Sequence, residues 1–404
     1  MHHTSKPLAA VLPAEIKHEI FSYLAEDRIS LCRFAHVHRS WTDSAQYELF
    51  KNARITSAHG LQSALGILAS EHSSHLRYAV AEWTLRGKIP GSTARSWLSS
   101  EDAPGEWLPA PNLAPRLHSV RFQHWDPPRI KPSFFDRLFK LTSLTELHLH
   151  DCSFKSTQTL SDLFFYIPHL GSLTLFGVRW DGPRGEFTSS DWTADRPLNL
   201  HTLRIRTPRA DYGPFFRWLV QHKCVGVRHL EVTMFDHQNA RQAGWYVEKL
   251  GPGLEELVFG LCLPATGEPW AYDQMNLQNN RNLRSLSFDI HDAQPFFSHW
   301  IYKVLGSAAK SPLRTIAFSL SLLSRDVLFS TPWEVIHDAL MTDWKGTLRQ
   351  VAVTHHADWR FMEDAKPAFF ERFPELARRG MLSVYNVETE DSAATRRRPN
   401  AEYF

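Results

Sequence analysis

The first regular pattern of hydrophobic positions lies near the amino terminus, in the stretch LPAEIKHEIFSYL. Its apolar residues recur at helical spacing and share one face of a short predicted helix: Ile16, Ile20, Phe21 and Leu24. A proline in the first turn and a glutamate beside it suit the start of a helix. A helix this short is marginal alone, so its apolar face must pack against more of the chain or against a partner.

Two further short helices are predicted from the following stretch, EDRISLCRFAHVHRSWTDSAQYELF. A turn at Glu26 and Asp27 precedes the second helix, and the third begins near Trp41 and ends near Leu49. We assign these three helices to one module at residues 8–50. A module this small buries little surface and often completes its core by docking.

A second pattern recurs through the rest of the chain. The motif LxxLxL, with Val, Ile or Phe allowed, appears nine times at intervals of 26 to 35 residues. The copies begin at Leu117, Leu144, Leu170, Leu200, Val227, Leu254, Leu283, Leu313 and Leu348, and a degenerate copy begins at Val80. The alternation within each copy predicts a short strand with one apolar and one polar face. Segments between copies, such as SFFDRLFK and TLSDLFFYI, have helical spacing.

The amino-terminal module resembles the F-box motif. The resemblance covers about the first fifty residues and rests on Leu12, Pro13, Glu15, Ile16, Ile20, Phe21, Tyr23, Leu24, Asp27, Leu31, Val37, Arg39 and Trp41. It departs at His38, where many F-boxes have cysteine. The stretches DRISLCRFAHVHRSW and LFKNARI are also similar to F-box proteins of mushroom-type fungi. The alternative is a chance match by an amphipathic trio of helices.

Strand, turn and helix repeated at this interval resemble a leucine-rich-repeat solenoid. Each repeat cannot cover its own apolar face, so neighbours must stack and share one elongated core. The predicted fold class is therefore α/β, a short three-helix F-box followed by an irregular leucine-rich-repeat horseshoe. We expect uneven turns because only Cys152 and Cys262 match the Asn or Cys that usually follows each strand. An unrelated α/β domain with parallel strands is the alternative.

The predicted domain order follows from these patterns. Residues 51–79 are interpreted as a helical joint with an amphipathic helix from Leu61 to about Ser70, and residues 80–387 as the solenoid. Residues 388–404 are polar, charged and aperiodic, which predicts a disordered tail. Its three arginines, Arg396 to Arg398, are interpreted as solvated, with a weak import signal as the alternative.

Composition narrows the function classes. The chain has 45 Lys and Arg against 43 Asp and Glu, a balance of +2 that argues against binding to nucleic acid or a membrane. Its four cysteines lie far apart without a CxxC pair, which favours free thiols in a reducing compartment. No apolar run is long enough to cross a bilayer. We expect a cytoplasmic and/or nuclear protein.

Candidate chemistry is sparse. HLHD from His148 and HHAD from His355 place metal-ligand residue types close in sequence, but neighbours in sequence do not establish three converging ligands. GPG from Gly251 lacks the Lys and Ser or Thr of a phosphate loop, and no GxSxG motif occurs. We therefore predict no catalytic residue, no metal and no cofactor.

The two resemblances together imply a function. Proteins with this arrangement are substrate receptors of cullin-based, SCF-type ubiquitin ligases, in which the F-box docks on the Skp adaptor and the repeats hold the target. The expected adaptor-binding or supporting residues are Leu12, Pro13, Ile16, Ile20, Phe21, Leu24, Leu31, Val37 and Trp41. The pattern does not divide core from interface among them. Two alternatives stay open, a non-ligase scaffold for protein assembly or sorting and an enzymatic repeat domain.

The target would bind the outward face of the predicted strands. The basic residues on that face are expected to form a strip for carboxylates or a phosphate: Arg121, His148, His150, Arg204 and Arg206. The last repeats carry small residues there instead. Ordinary solvated strand faces are the alternative, and connections containing Trp180, Trp192 and Trp270 are further candidates for a partner contact.

Overall fold

The computed structural model of the chain describes residues 12–25, 27–37, 39–87, 97–99, 107–126, 132–167, 169–180, 198–208, 210–262, 275–291, 297–321, 332–344, 346–355 and 362–386. The chain divides into two compact units, Met1–Asn199 and Leu200–Phe404. Each unit is described by itself below.

The first unit begins with a helical module made of α1 (Ala14–Tyr23), α2 (Arg28–Val37) and α3 (Arg39–Lys51). Asp27 starts α2, since its carboxylate accepts a hydrogen bond from the backbone N–H of Ser30 at 3.0 Å. The three helices predicted from the hydrophobic pattern are therefore present.

The first unit continues with strands and helices in alternation. In chain order these are β1 (Asn52–Ile55), α4 (Ala58–Ala69), β2 (Glu82–Arg86), β3 (Ser119–Gln123), α5 (Pro132–Lys140), β4 (Glu146–His150), β5 (Ser153–Phe154), α6 (Thr157–Phe165), β6 (Ser172–Phe176) and β7 (Arg179–Trp180). Short 3-10 helices occur at Glu71–Tyr78 and Trp97–Ser99. Strands β1, β2, β3, β4 and β6 pair in that order, all in parallel. Strands β5 and β7 pair with each other beside them.

The second unit repeats the same architecture. Its elements are β8 (Thr202–Arg206), α7 (Tyr212–Gln221), β9 (His229–Met234), α8 (His237–Leu250), β10 (Glu256–Leu261), β11 (Ser285–His291), α9 (Phe297–Ser307), β12 (Thr315–Ser321), α10 (Trp333–Asp343), β13 (Gln350–His355), α11 (Met362–Arg372), α12 (Pro374–Arg378) and β14 (Leu382–Asn386). Strands β8 to β14 pair in sequence order, each parallel to the next.

Alternating burial explains why each copy of the motif forms a strand. In β4, Leu147 and Leu149 are buried, whereas Glu146, His148 and His150 lie on the opposite face. All nine predicted copies are strands of the parallel arrangement. The predicted fold class is confirmed: the chain is α/β, with amino-terminal helices followed by a leucine-rich-repeat-like solenoid of parallel strands.

The repeat sheet starts earlier than residue 80. Strand β1 lies inside the segment 51–79 that was predicted as a helical joint, and it pairs with β2 through Ala53 opposite Trp83 and Ile55 opposite Leu85. A segment of four residues with two apolar positions is too short to be recognised as a strand in the sequence. The helix predicted in this segment is confirmed as α4. The predicted tail at 388–404 lies outside the described residues.

Different residue types fill equivalent turns after the strands. After β4, the Sγ atom of Cys152 is buried and donates to the backbone carbonyls of Phe122 at 3.5 Å and His150 at 3.3 Å. One repeat earlier, the equivalent position holds Trp125, whose ring stacks on Phe122 at a centroid distance of 4.4 Å. A buried thiol and a buried indole thus occupy equivalent turns.

Candidate interaction surfaces

The inward face of the helical module forms a small core. Phe21, Leu31 and Ala45 are fully buried, and the partly buried hydrophobic residues packed against them are Leu24, Phe34, Ala35, Trp41 and Leu49. The ring of Phe21 lies edge-on to those of Phe34 and Trp41, at 5.7 and 5.4 Å between centroids. These aromatic contacts join all three helices, so the module has a core of its own.

A second apolar face of α1 points away from that core. Ile16, Ile20 and Tyr23 follow one another at helical spacing and are exposed, with 82% of Tyr23 accessible. We call these three residues the outer face of α1. The adjacent residues at the same spacing, Lys17 and Phe21, are buried instead, and the Nζ atom of Lys17 donates to the carbonyl of Ser40 at 3.2 Å.

The second helix adds exposed apolar residues. Ile29 and Val37, at the two ends of α2, are each 68% accessible. An exposed isoleucine or valine leaves apolar surface in water, and burying that surface in a partner contributes about 25 cal/mol per Å². The module therefore carries a complete small core together with unburied hydrophobic side chains.

In the first unit, the polar face of the parallel strands is ordered in three rows by the strand register. The first row contains Asn52, Glu82, Ser119, Glu146 and Ser172; the second contains Arg54, Thr84, Arg121, His148 and Thr174; the third contains Arg86, Gln123, His150 and Phe176. Neighbouring strands lie about 4.8 Å apart, so members of one row are adjacent. Carboxylates occupy the first row and arginines the second and third.

The two histidines of this face are only partly accessible. Burial, followed by the charge of Arg121, lowers the pKa of His150 from 6.5 to about 4. Burial also lowers the pKa of His148, against the opposing effect of Glu146, whose Oε2 lies 3.4 Å from its Nε2. The ring of His150 stacks on Phe176 at 5.6 Å between centroids. At neutral pH His150 is therefore an uncharged ring in an aromatic stack.

On the corresponding face of the second unit, an arginine of the first strand is paired with a carboxylate, and the later strands carry mostly small side chains. The Nε of Arg204 lies 3.5 Å from the carboxylate of Glu231, which occupies the next strand in register. Burial raises the pKa of Glu231, and the charge of Arg204 opposes that effect. Beyond Glu231 the same row continues with Val258, Ser287, Ala317 and Ala352.

The structure divides the predicted basic strip between the two units. Arg121, His148 and His150 lie on adjacent strands of the first unit, and Arg204 and Arg206 lie on β8 of the second. The positive charge at neutral pH comes from the arginines. Binding of a target by these five residues stays a prediction.

Three further residues belong to these surfaces and were missed in the sequence. Tyr23 was not singled out as a contact residue because the predicted stripe of α1 ran through Leu24, and Ile29, on α2, was interpreted only as an apolar position of that helix. Arg86 belongs to the degenerate copy at Val80, whose strand β2 shows the same alternation as its neighbours. Helical spacing from Ile16 points to Tyr23, and the alternation that buries Trp83 and Leu85 puts Arg86 on the opposite, polar face.

Other sequence candidates can be placed in part. Trp180 is the last residue of β7, whereas Trp192 and Trp270 lie outside the described residues. Within the described ranges, no three His, Cys, Asp or Glu side chains come together in a way that would hold a metal ion. None of the helices described has the length and hydrophobicity needed to span a membrane.

Comparison with known proteins bears on the amino-terminal module. Residues 9–56 match the family described as F-box-like. Residues 9–56 are an F-box-like domain. A comparison of the whole chain with curated proteins finds no match.

Two solved structures are similar over most of the chain. The leucine-rich repeat-containing protein LegL7 from Legionella pneumophila is 12% identical, with a TM-score of 0.42, and the match covers 80% of this chain and 98% of that one. A chain of the Rad7 and Elc1 complex in yeast is 14% identical, with a TM-score of 0.30, and the match covers 87% and 94%. Because both scores are below 0.5, we draw no conclusion from them.

The structure separates the nine residues expected to serve adaptor binding in the F-box-like domain. Phe21 and Leu31 are fully buried, and Leu24 and Trp41 pack against them, so these four support the fold. Ile16, Ile20 and Val37 are exposed, as is Pro13, and Leu12 is half-buried. Phe21 and Leu31 cannot touch another protein without unfolding, whereas the exposed residues of the second group can.

Proposed function

We propose that this chain is the substrate receptor of a cullin-based, SCF-type ubiquitin ligase. In this proposal the F-box-like domain docks on a Skp adaptor, and the repeats hold a target protein. The chain contributes proximity, not bond chemistry, and acts without catalytic residues or a cofactor. In this proposal it works in the cytoplasm and/or nucleus.

The observation that carries the proposal is the outer face of α1 on a domain whose core is already complete. Phe21, Leu31 and Ala45 fill the interior of the F-box-like domain, and the domain still exposes Ile16, Ile20 and Tyr23. Exposed hydrophobic residues grouped on one helix face are typical of protein interaction sites. The aromatic Tyr23 belongs to the residue types that contribute most to such interfaces.

The repeats supply what a receptor needs in addition. Their parallel strands present an ordered polar face of alternating side chains in each unit, while the apolar side chains of the same strands are buried. A surface of this kind contacts an extended target without exposing the core. A hydrophobic helix for docking and a separate polar face for a target are what a receptor needs, and this combination favours a receptor over an enzyme.

The test is adaptor binding by the full chain after Ile16→Asp and Ile20→Asp are introduced together. A carboxylate buried without a partner in an interface costs about 3–5 kcal/mol, so binding to a purified Skp adaptor should fall below detection. The measurement is biolayer interferometry with the adaptor immobilised. Phe21 stays unchanged because its loss would unfold the domain.

The matched control is Ile67→Asp in α4. Ile67 is 40% accessible against 41% for Ile16, and it lies outside the F-box-like domain. This variant should bind the adaptor like the unaltered chain. Equal binding by all three proteins would contradict the docking role of α1.

A second measurement separates a ligase from a scaffold. The full chain, reconstituted with adaptor and cullin, should recover both proteins in one complex by size-exclusion chromatography. Recovery of the adaptor without cullin would favour the non-ligase scaffold for assembly or sorting. Ubiquitin transfer to a bound target would then be absent as well.

A further inference from the structure

We propose that the polar sheet face of the first unit binds an acidic segment of the target, with Arg86 and Arg121 pairing with its carboxylates. This inference rests on the proposed receptor function and adds the chemical class of the target segment. It concerns the second and third rows of the face, on strands β2, β3, β4 and β6.

The charges of Arg86 and Arg121 are not used in ion pairs with the described part of the chain. Among the described residues neither Arg86 nor Arg121 has a carboxylate within ion-pair distance, and the Nε of Arg86 is buried without a hydrogen-bond partner. A buried N–H that has no acceptor is unfavourable, and a carboxylate that accepts from the Nε and a terminal nitrogen of Arg86 in a fork would relieve that penalty. Because Arg86 and Arg121 lie on adjacent strands in neighbouring rows, one short segment reaches both.

The second unit shows the contrasting arrangement. There the Nε of Arg204 lies 3.5 Å from a carboxylate oxygen of Glu231. The Nη1 of Arg228 lies 3.8 Å from a carboxylate oxygen of Glu255. Both arginines are therefore already paired with carboxylates of the chain itself. In the first unit the side chains next to Arg121 in its row are Thr84 and His148. A threonine and a histidine with a lowered pKa give Arg121 no negative partner within its own row.

The first row fixes where the acidic segment lies. Glu82 and Glu146 are in register on either side of Ser119, and both carry the charge that would repel it. The segment therefore crosses the strands over the second and third rows, where Gln123, His150 and Phe176 give it uncharged neighbours. The stacked rings of His150 and Phe176 provide a flat surface for its backbone and the aliphatic parts of its side chains.

The experiment uses a fluorescein-labelled peptide of alternating Asp and Glu, with an Asn and Gln version as the uncharged probe. Fluorescence anisotropy with the full chain at low salt should show binding of the acidic probe only. Arg121→Glu should weaken that binding about tenfold or more, and Arg86→Gln should weaken it in the same direction, since each removes a charge-assisted hydrogen bond. Replacing Glu82 and Glu146 together by Gln should strengthen binding about two- to fivefold.

The control for overall charge is Arg228→Glu, which changes the net charge by the same amount as Arg121→Glu. It should leave binding of the acidic probe unchanged. Equal loss in both variants, no binding by the unaltered chain, or weaker binding after the Glu82 and Glu146 replacements would each overturn the inference. A phosphorylated probe that binds where the carboxylate probe does not would overturn it too.

Adaptor binding is measured on the same proteins. Arg121→Glu should bind the Skp adaptor like the unaltered chain, because Arg121 lies outside the F-box-like domain. Failure of the acidic probe with adaptor binding intact would reject this inference and leave the receptor proposal standing. Failure of adaptor binding by the unaltered chain would reject the receptor proposal itself.

Discussion

The F-box-like domain and the repeats use their hydrophobic residues in different ways. In the domain, three residues are fully buried in the core while Ile16, Ile20, Tyr23, Ile29 and Val37 stay exposed. In the repeats, a strand such as β4 or β11 buries every apolar residue and leaves polar residues on its other face. Five exposed apolar side chains thus lie on the two short helices α1 and α2, whose shared core is small.

The difference shows when a hydrophobic pattern in the sequence can distinguish core residues from contact residues. On a strand, alternation sends each residue to one of two faces, so an apolar residue in the pattern is a core residue. On a short helix, residues one step apart differ by about 100°, and one apolar stripe can contain both core and contact residues. Ile20 and Phe21 are neighbours in sequence and have opposite roles.

The largest expected effect tests this contrast with two buried phenylalanines. Phe288→Ala removes a ring that stacks on Phe318 at 5.5 Å and meets Trp300 edge-on, so unfolding of the repeats should require about 3–5 kcal/mol less. Phe21→Ala should instead unfold the small F-box-like domain and abolish adaptor binding. Urea unfolding followed by circular dichroism, together with adaptor binding, measures both.

Its control is Ser287→Ala, one residue before Phe288 on the polar face of β11. A surface change of this kind should alter the unfolding free energy by less than about 0.5 kcal/mol. Loss of adaptor binding in Phe288→Ala would contradict the separation of the two regions. So would retention of adaptor binding in Phe21→Ala.

Much of the repeat fold could be predicted because the signal is repeated. Leu147 and Leu149 in β4, like their counterparts in the other copies, recur at nearly one interval with a period of two inside each copy. Strand β1 was missed because its four residues carry only Ala53 and Ile55 as apolar positions. Its partner strand β2, and not its own composition, holds it in the sheet.

The second prediction concerns pH and the polar face of the repeats. The pKa of His150 is lowered to about 4 by burial, whereas the unfolded chain binds the proton near 6.5. Between these values the unfolded state holds more protons, so the unfolding free energy should fall as the pH drops from 6.5 to 4. Because the ring is partly solvated, the loss should be of order 2 kcal/mol.

The comparison is with His150→Gln, which cannot take up this proton. Its unfolding free energy, measured in urea at several pH values, should fall less steeply than that of the unaltered chain over the same window. Parallel pH profiles for the two proteins would show that the histidine is an ordinary solvated residue. Burial on the polar face would then have no measurable effect on proton binding by His150.

The surfaces could be predicted less well than the fold. Arg204 and Glu231 occupy equivalent positions of successive copies, so their ion pair was visible in the sequence once the copies were aligned. The state of His150 was not, because it depends on how much water the stacked Phe176 and the neighbouring strands exclude. The division between Ile20 and Phe21 depends likewise on where α2 and α3 pack against α1.

The smallest expected effect lies at the junction of the two regions. Ser57 is the N-cap of α4, the first helix of the repeats, and its Oγ accepts a hydrogen bond from the backbone N–H of Gly60 at 3.0 Å. Ser57→Ala should lower the unfolding free energy by about 1 kcal/mol, because that N–H loses its partner at the helix start. Adaptor binding should not change, since Ser57 follows residue 56, where the F-box-like domain ends. Ser57→Asp, which keeps an acceptor at the cap, should restore the stability. If Ser57→Ala weakened adaptor binding, the first repeat would have to be counted as part of the docking domain.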